Sequence, residues 1–277
     1  MSMHLARCLA EGRDCGEWKV PKARRVLYVD GEMALDALRE RDRALRQSCV
    51  LPLHFLSHYQ HFDETRRGLN LTDVPAQKAL LDECERLKIE VLILDNLSCL
   101  FSGMRENEAD SWGMVFPWLL DFRHRGIAVC IVHHAGRNGL HMRGTSRRED
   151  AADWVMQVST PSSEDKPTTG HKTQLITQFT KSRDGSVEDE GPWQWTFETP
   201  AAEEPTTVHW GLMTNLDALV RCVEDGLELC SDIVEELGLS KSAVSKLARK
   251  AAAQNRISID GRGNQSRYFP IAKPQFS

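Results

Sequence analysis

The run Val91-Leu92-Ile93-Leu94, closed by Asp95, most limits how this chain can fold. Four successive apolar residues suit a strand covered on both faces, and such strands belong to parallel sheets with helices on either side. The carboxylate then emerges at the C-terminal end of the strand, the edge where open α/β sheets bind ligands. Two other short apolar runs end comparably: residues 25–30 lead through Asp30 and Gly31 to Glu32, and 127–133 lead to the pair His133-His134. Helical periodicity fills the intervals at 1–11 (ended by Gly12), 35–49, 76–88 and 111–124, with a further strand at 53–56. Strands alternating with helices of this length predict βαβ units, hence an α/β fold with a mostly parallel sheet flanked by helices.

Residues 173–180 and 193–197 read as strands around a charged turn, expected to add an antiparallel edge to that sheet. Residues 198–208 hold two prolines and three glutamates, a linker composition. The expected organisation is a core over 1–198, a linker over 199–212 and a small domain over 213–277. Apolar residues at 41% and charged residues at 27% exclude wholesale disorder. No apolar run approaches the ~20 residues of a bilayer span, so no membrane partner is expected. Arg7 and the lack of an apolar stretch near Met1 exclude a secretory signal. Eight cysteines without a C-x-x-C pair predict reduced thiols in the cytoplasm, and neither a disulfide scaffold nor a zinc site.

An aspartate at the end of a buried strand can hold the water shell of a magnesium ion bridging two phosphates, or it can cap the next helix. Glu32, just past another strand on the same edge, can orient and deprotonate a water attacking a phosphate, or be a solvated turn residue. His133 and His134 can hydrogen-bond a phosphate and sense its loss. They can equally be satisfied buried imidazoles, and metal ligation is disfavoured because no Cys or Asp stands nearby at a ligand spacing.

In this order, D-G-E-M, L-I-L-D-N, V-H-H-A and Arg143-Gly-Thr-Ser146 resemble the RecA-like ATPases of the plasmid RepA hexameric helicase type, over roughly residues 1–197. The resemblance implies a RecA-like core that hydrolyses ATP with Mg2+ and acts on DNA during replication of a plasmid, phage or other mobile element, as a homo-oligomeric ring such as a hexamer. It implies Glu32 as catalytic base, Asp95 as the magnesium residue with Asn96 beside it at the nucleotide, and His134 or His133 as the γ-phosphate sensor. Arg143 would be an arginine finger reaching a neighbouring subunit. Thr180-Lys181-Ser-Arg183 is similar to the K-x-R finger of ring helicases, although a basic β-turn would have the same sequence.

A phosphate loop of the form G-x-x-x-x-G-K-[ST] wraps phosphates in backbone N–H groups, and no Gly-Lys dipeptide occurs in the chain. The helix at 1–11 starts in mid-pattern, which reads as a chain truncated within the first helix of the fold. Nucleotide binding and catalysis by this chain alone are therefore not expected. The alternative to a motor is a non-catalytic DNA-binding regulator or loader with a degenerate core.

The C-terminal charge is polarised. Residues 216–238 hold seven acidic side chains and one basic, whereas 240–270 hold seven basic and one acidic. A helix ending at Gly238, a second over 242–253 and a paired segment over 257–271 have helix-turn-helix spacing and resemble a winged-helix domain. Lys241, Ser242, Ser245, Lys246 and Arg249 are the candidate groove contacts and Arg262 the candidate wing contact. A protein-docking winged helix is the other reading of this segment.

Overall fold

The computed structural model describes residues 1–46, 53–104, 112–113, 115–134, 152–160, 171–183, 192–200, 204–261 and 266–271. The chain divides into two compact units, 1–152 with 199–207, and 153–198 with 208–277.

The first unit begins with α1 (Ser2–Glu11) and β1 (Val26–Asp30), followed by α2 (Leu35–Leu45), β2 (Leu53–Ser57), α3 (His58–Thr65) and α4 (Val74–Leu87). Then come β3 (Val91–Asp95), the single-turn α5 (Leu97–Leu100), α6 (Phe116–His124) and β4 (Ala128–Val132). The four strands form one parallel sheet in the order β2-β1-β3-β4. β1 and β3 occupy its centre, as their unbroken apolar runs require.

Strand alternation divides the core into two layers. Leu27, Val29, Leu92 and Leu94 face one way, against Leu80, Leu81 and Cys84 of α4, Leu97 and Leu100 of α5, and Trp118 and Phe122 of α6. Val26, Tyr28 and Ile93 face the other way, against Met3, Ala6 and Ala10 of α1 and Leu38 of α2. The α1–α2 layer also buries Arg7, which is 1% exposed and ion-paired to Asp42 of α2. Arg46 reaches the second oxygen of the same carboxylate at 3.0 Å. Glycine closes α1: Gly12 takes φ 66°, and a Cβ there would lie 2.7 Å from the Ala23 nitrogen.

The second unit opens with β5 (Trp154–Ser159), β6 (His171–Ser182), β7 (Trp193–Thr199) and β8 (Thr207–Leu212), a four-stranded sheet in that order in which β5 and β6 pair antiparallel. This corrects one expectation: the later strands add no edge to the parallel sheet but make a sheet of their own. The reason lies in β6, whose residues 176–182 pair with β5 and which buries Ile176 and Thr177, with Thr177 accepting a 2.8 Å hydrogen bond from the indole of the fully buried Trp195. β8 forms within the stretch read as a linker, and just before it the Thr206 N–H donates to the Ala44 carbonyl.

The rest of the second unit comprises α7 (Asn215–Glu224), α8 (Cys230–Leu237), α9 (Lys241–Ala253) and the antiparallel pair β9 (Ile257–Asp260) and β10 (Arg267–Pro270). They share a core of Leu219, Val220, Val223, Ile233, Val244, Ala248, Ala251, Ile257 and Tyr268. A reciprocal capping box between Thr214 and Asp217 starts α7, Gly238 in the left-handed region ends α8, and the Ser240 hydroxyl caps α9. Among the described residues, no helix is long and apolar enough to cross a membrane.

Candidate functional site

Parallel register brings the strand ends level. Asp30 of β1 pairs with Asp95 of β3, and Asp95 with Val132 of β4, so the three following loops leave the sheet side by side. Gly31 extends the ladder by donating its N–H to the Asp95 carbonyl at 2.7 Å. It must be glycine, because a Cβ would sit 2.9 Å from the Cys99 Cβ and 3.0 Å from the Leu100 Cγ. That close approach to α5 delivers Glu32 to the edge.

Asn96 organises what meets there. It is 1% exposed and follows Asp95 through a cis peptide bond. Its Oδ1 accepts the Cys99 N–H at 3.1 Å and so caps α5. That leaves the amide nitrogen to point outward, where it donates to Glu32 Oε2 at 2.5 Å and lies 2.9 Å from His134 Nε2. Since the amide can only donate, His134 Nε2 accepts, and the imidazole proton belongs on Nδ1. The same Nε2 is 3.4 Å from Glu32 Oε2. Glu32 and His134 keep 59% and 65% of their side-chain surface open, so a small reactant can reach both.

Beside this triad lies a second cluster. Asp95 Oδ2 accepts from the Ser2 hydroxyl at 2.7 Å and from the phenol of Tyr28, and the two hydroxyls are 3.0 Å apart. Burial, reinforced by the charge of Asp95, pushes the Tyr28 phenol well above its usual range, so it stays a proton donor. Burial also raises the carboxyl of Asp30, against the opposing effect of the N–H groups of Met33 at 2.7 Å and Glu32 at 3.2 Å. Ser2 Oγ and Asp95 Oδ2, joined by that hydrogen bond, are two hard oxygens of the type a magnesium ion takes while it keeps most of its waters.

Of the residues singled out from sequence, Glu32, Asp95, Asn96 and His134 thus come together, while His133 stands half-buried next to them. Lys181 and Arg183 belong to the second unit, where Lys181 pairs in register with Val155 and Arg183 lies just past β6, 3.4 Å from Asp153. Arg143 and Arg262 lie outside the described residues. On α9, Lys241, Ser242, Lys246 and Arg249 are exposed, whereas Ser245 is partly covered and lies 3.9 Å from the thiol of Cys230. The sequence reading missed Ser2 and Tyr28. The available signal was a hydroxyl in the first turn of the helix before the D-G-E strand, and a tyrosine two residues before Asp30, on the face turned toward α1.

A family model described as an AAA domain matches residues 1–139. No curated protein matches the chain.

Proposed function

The chain belongs to the AAA-domain family, of the RecA-like P-loop ATPase type, and from this premise we propose that it is an ATP-hydrolysing motor of the RepA helicase kind that works on DNA in the replication of a mobile element. The observation that carries the reading is the convergence of Glu32, Asn96 and His134 on the sheet edge that also holds Ser2 and Asp95. Members of this family use a nucleotide with magnesium. A bound magnesium ion would supply charge neutralisation between the phosphates, held by the Ser2 hydroxyl and Asp95.

The chain's own groups then divide the work. Glu32, exposed and anchored through one oxygen by Asn96, orients the attacking water and takes its proton. His134, held through Nε2 by Asn96, offers its Nδ1 proton to the terminal phosphate, so that phosphate loss is felt at β4. Tyr28 holds Asp95 from below. Arg143, Lys181 and Arg183 are assigned to a neighbouring subunit's nucleotide in a ring. Three helices and a β-pair in the order of a winged helix, with Lys241, Lys246 and Arg249 exposed on α9, support DNA as the partner of the C-terminal segment. Arg262 would add a phosphate contact.

One observation favours a second reading. The 277 residues contain no Gly-Lys dipeptide, so the lysine-bearing phosphate loop is missing from them, and a regulator or loader with a degenerate core would need none. The deciding measurement is turnover of millimolar ATP with magnesium and duplex DNA, by the chain fused behind a strand and a G-x-x-x-x-G-K-[ST] loop and by the Glu32→Gln and Asp95→Asn variants of that fusion. Motor function predicts turnover that both variants abolish, with nucleotide binding retained in Glu32→Gln. Wild-type turnover in Glu32→Gln would remove Glu32 from the chemistry. DNA binding with neither nucleotide binding nor turnover would favour the regulator.

A further inference from the structure

Three metal-ligating side chains converge away from the strand edge. His4 and Cys8 stand one turn apart on the inner face of α1. The chain reverses after Gly12, where the Arg13 N–H returns to the Cys8 carbonyl at 2.9 Å, and Cys15 comes back against the helix. Its loop is tied by a reciprocal pair of backbone hydrogen bonds between Cys15 and Trp18, at 3.0 and 3.1 Å. The ligand atoms of His4, Cys8 and Cys15 all lie within 4.8 Å of one another, and the residues are 3%, 0% and 0% exposed.

The Cys8–His4 spacing matches that in a coordination sphere. A tetrahedral ion with bonds of ~2.3 Å to sulfur and ~2.0–2.1 Å to nitrogen sets S and N about 3.6 Å apart. Cys8 Sγ is 3.6 Å from His4 Nε2. The donors are two sulfurs and an imidazole without a carboxylate, a set that suits zinc-class ions and not magnesium. A divalent cation displaces the thiol protons as it binds.

We propose that His4, Cys8 and Cys15 bind one zinc-class divalent cation, which staples the end of α1 to the loop that follows it. Three protein ligands leave the fourth corner of the tetrahedron to a water. The staple would fix the helix whose first turn presents Ser2 to Asp95, yet its existence does not depend on nucleotide chemistry. The sequence spacing H-x3-C-x6-C hides the site, because only the reversal at Gly12 closes it.

Cobalt(II) is the probe. The full chain, stripped with a chelator under reducing conditions and titrated with Co2+, should take one equivalent. It should show thiolate-to-cobalt charge transfer with tetrahedral d–d bands, and lose both when zinc is added. Cys8→Ser and Cys15→Ser should each remove most of the charge transfer and weaken binding beyond the ~10–100-fold carried by outer partners of a metal site. His4→Cys guards against misfolding of the serine variants: it should keep a tetrahedral site with stronger charge transfer. Cys84→Ser, a buried thiol on α4, should change nothing. The proposal is overturned if fully reduced protein gives no thiolate–cobalt band, if the band survives in Cys15→Ser, or if the isolated protein carries a Cys8–Cys15 disulfide instead.

Discussion

Replacing Tyr28 by Phe isolates one hydrogen bond beneath the strand-edge carboxylate. Tyr28 is 1% exposed, and its ring packs at 5.8 Å between centroids on Phe55, so the substitution keeps the packing and deletes only the hydroxyl. That hydroxyl donates to Asp95, and a hydrogen bond to a charged acceptor contributes about 1.5–3 kcal/mol. Asp95 retains the Ser2 hydroxyl at 2.7 Å, which places the expected loss in the lower half of that range, about 1.5–2 kcal/mol. Losing both hydroxyls strips Asp95 of its two side-chain donors, so Tyr28→Phe with Ser2→Ala should cost more than the sum of the single changes. Because the chain has two compact units, a global melt mixes signals; amide hydrogen exchange resolved to β1 and β3 reads the right part. The opening equilibrium there should rise roughly 10–30-fold in Tyr28→Phe. In an Asp95→Asn background, where the acceptor is neutral, the same change should cost only about 0.5–1.5 kcal/mol. An increase below about threefold, or an undiminished cost in Asp95→Asn, would refute the assignment of that carboxylate as the partner.

Gly31→Ala forces a Cβ against Cys99 and Leu100 and should cost about 1–3 kcal/mol, read by exchange of the same strands; a neutral result would mean that α5 yields. Thr214→Ala removes half of a capping box and should cost about 1 kcal/mol in the second unit. Burial alone would raise the Asp217 carboxyl, but hydrogen bonds from Thr214 and Arg256 outweigh it and hold the carboxyl below its ordinary value. Its stabilisation is therefore complete above the unfolded carboxylate range near pH ~4 and is lost as acid protonates the folded group, and Thr214→Ala should flatten that acid-side loss in unfolding titrations. Lys246→Ala and Arg249→Ala in the full chain should each weaken duplex DNA binding and lower the salt slope by about 0.9, measured by anisotropy across ionic strength; unchanged slopes would make α9 a protein-docking helix.

Period and punctuation alone determined much of this protein. Val91 to Asp95 admits few structures besides a central parallel strand, because a residue pair on each face must be covered at once. The same logic found β1, β4 and, of the helices between them, α2, α4 and α6 but not α3 or α5, and it put Glu32, Asp95 and His134 on one edge, since every parallel strand ends on the same side. Gly12 and Gly238 marked helix ends through backbone chemistry that is local. The tertiary structure alone decided what depends on distant partners. Whether residues 171–182 extended the parallel sheet or paired with 154–159 hinged on strand edges that no local pattern encodes. Asn96 could be read only as a neighbour of Asp95; its role as the clamp on Glu32 and His134 follows from one amide whose oxygen is already committed to Cys99. Ser2 and Tyr28 reach Asp95 across 93 and 67 residues of sequence, and His4, Cys8 and Cys15 meet only because the chain doubles back at Gly12. Sequence spacing fixes which face a side chain takes along its own element, and contacts between elements are fixed by packing, where burial of Met3, Ala6 and Ala10 against Tyr28 sets the height at which α1 lies on the sheet.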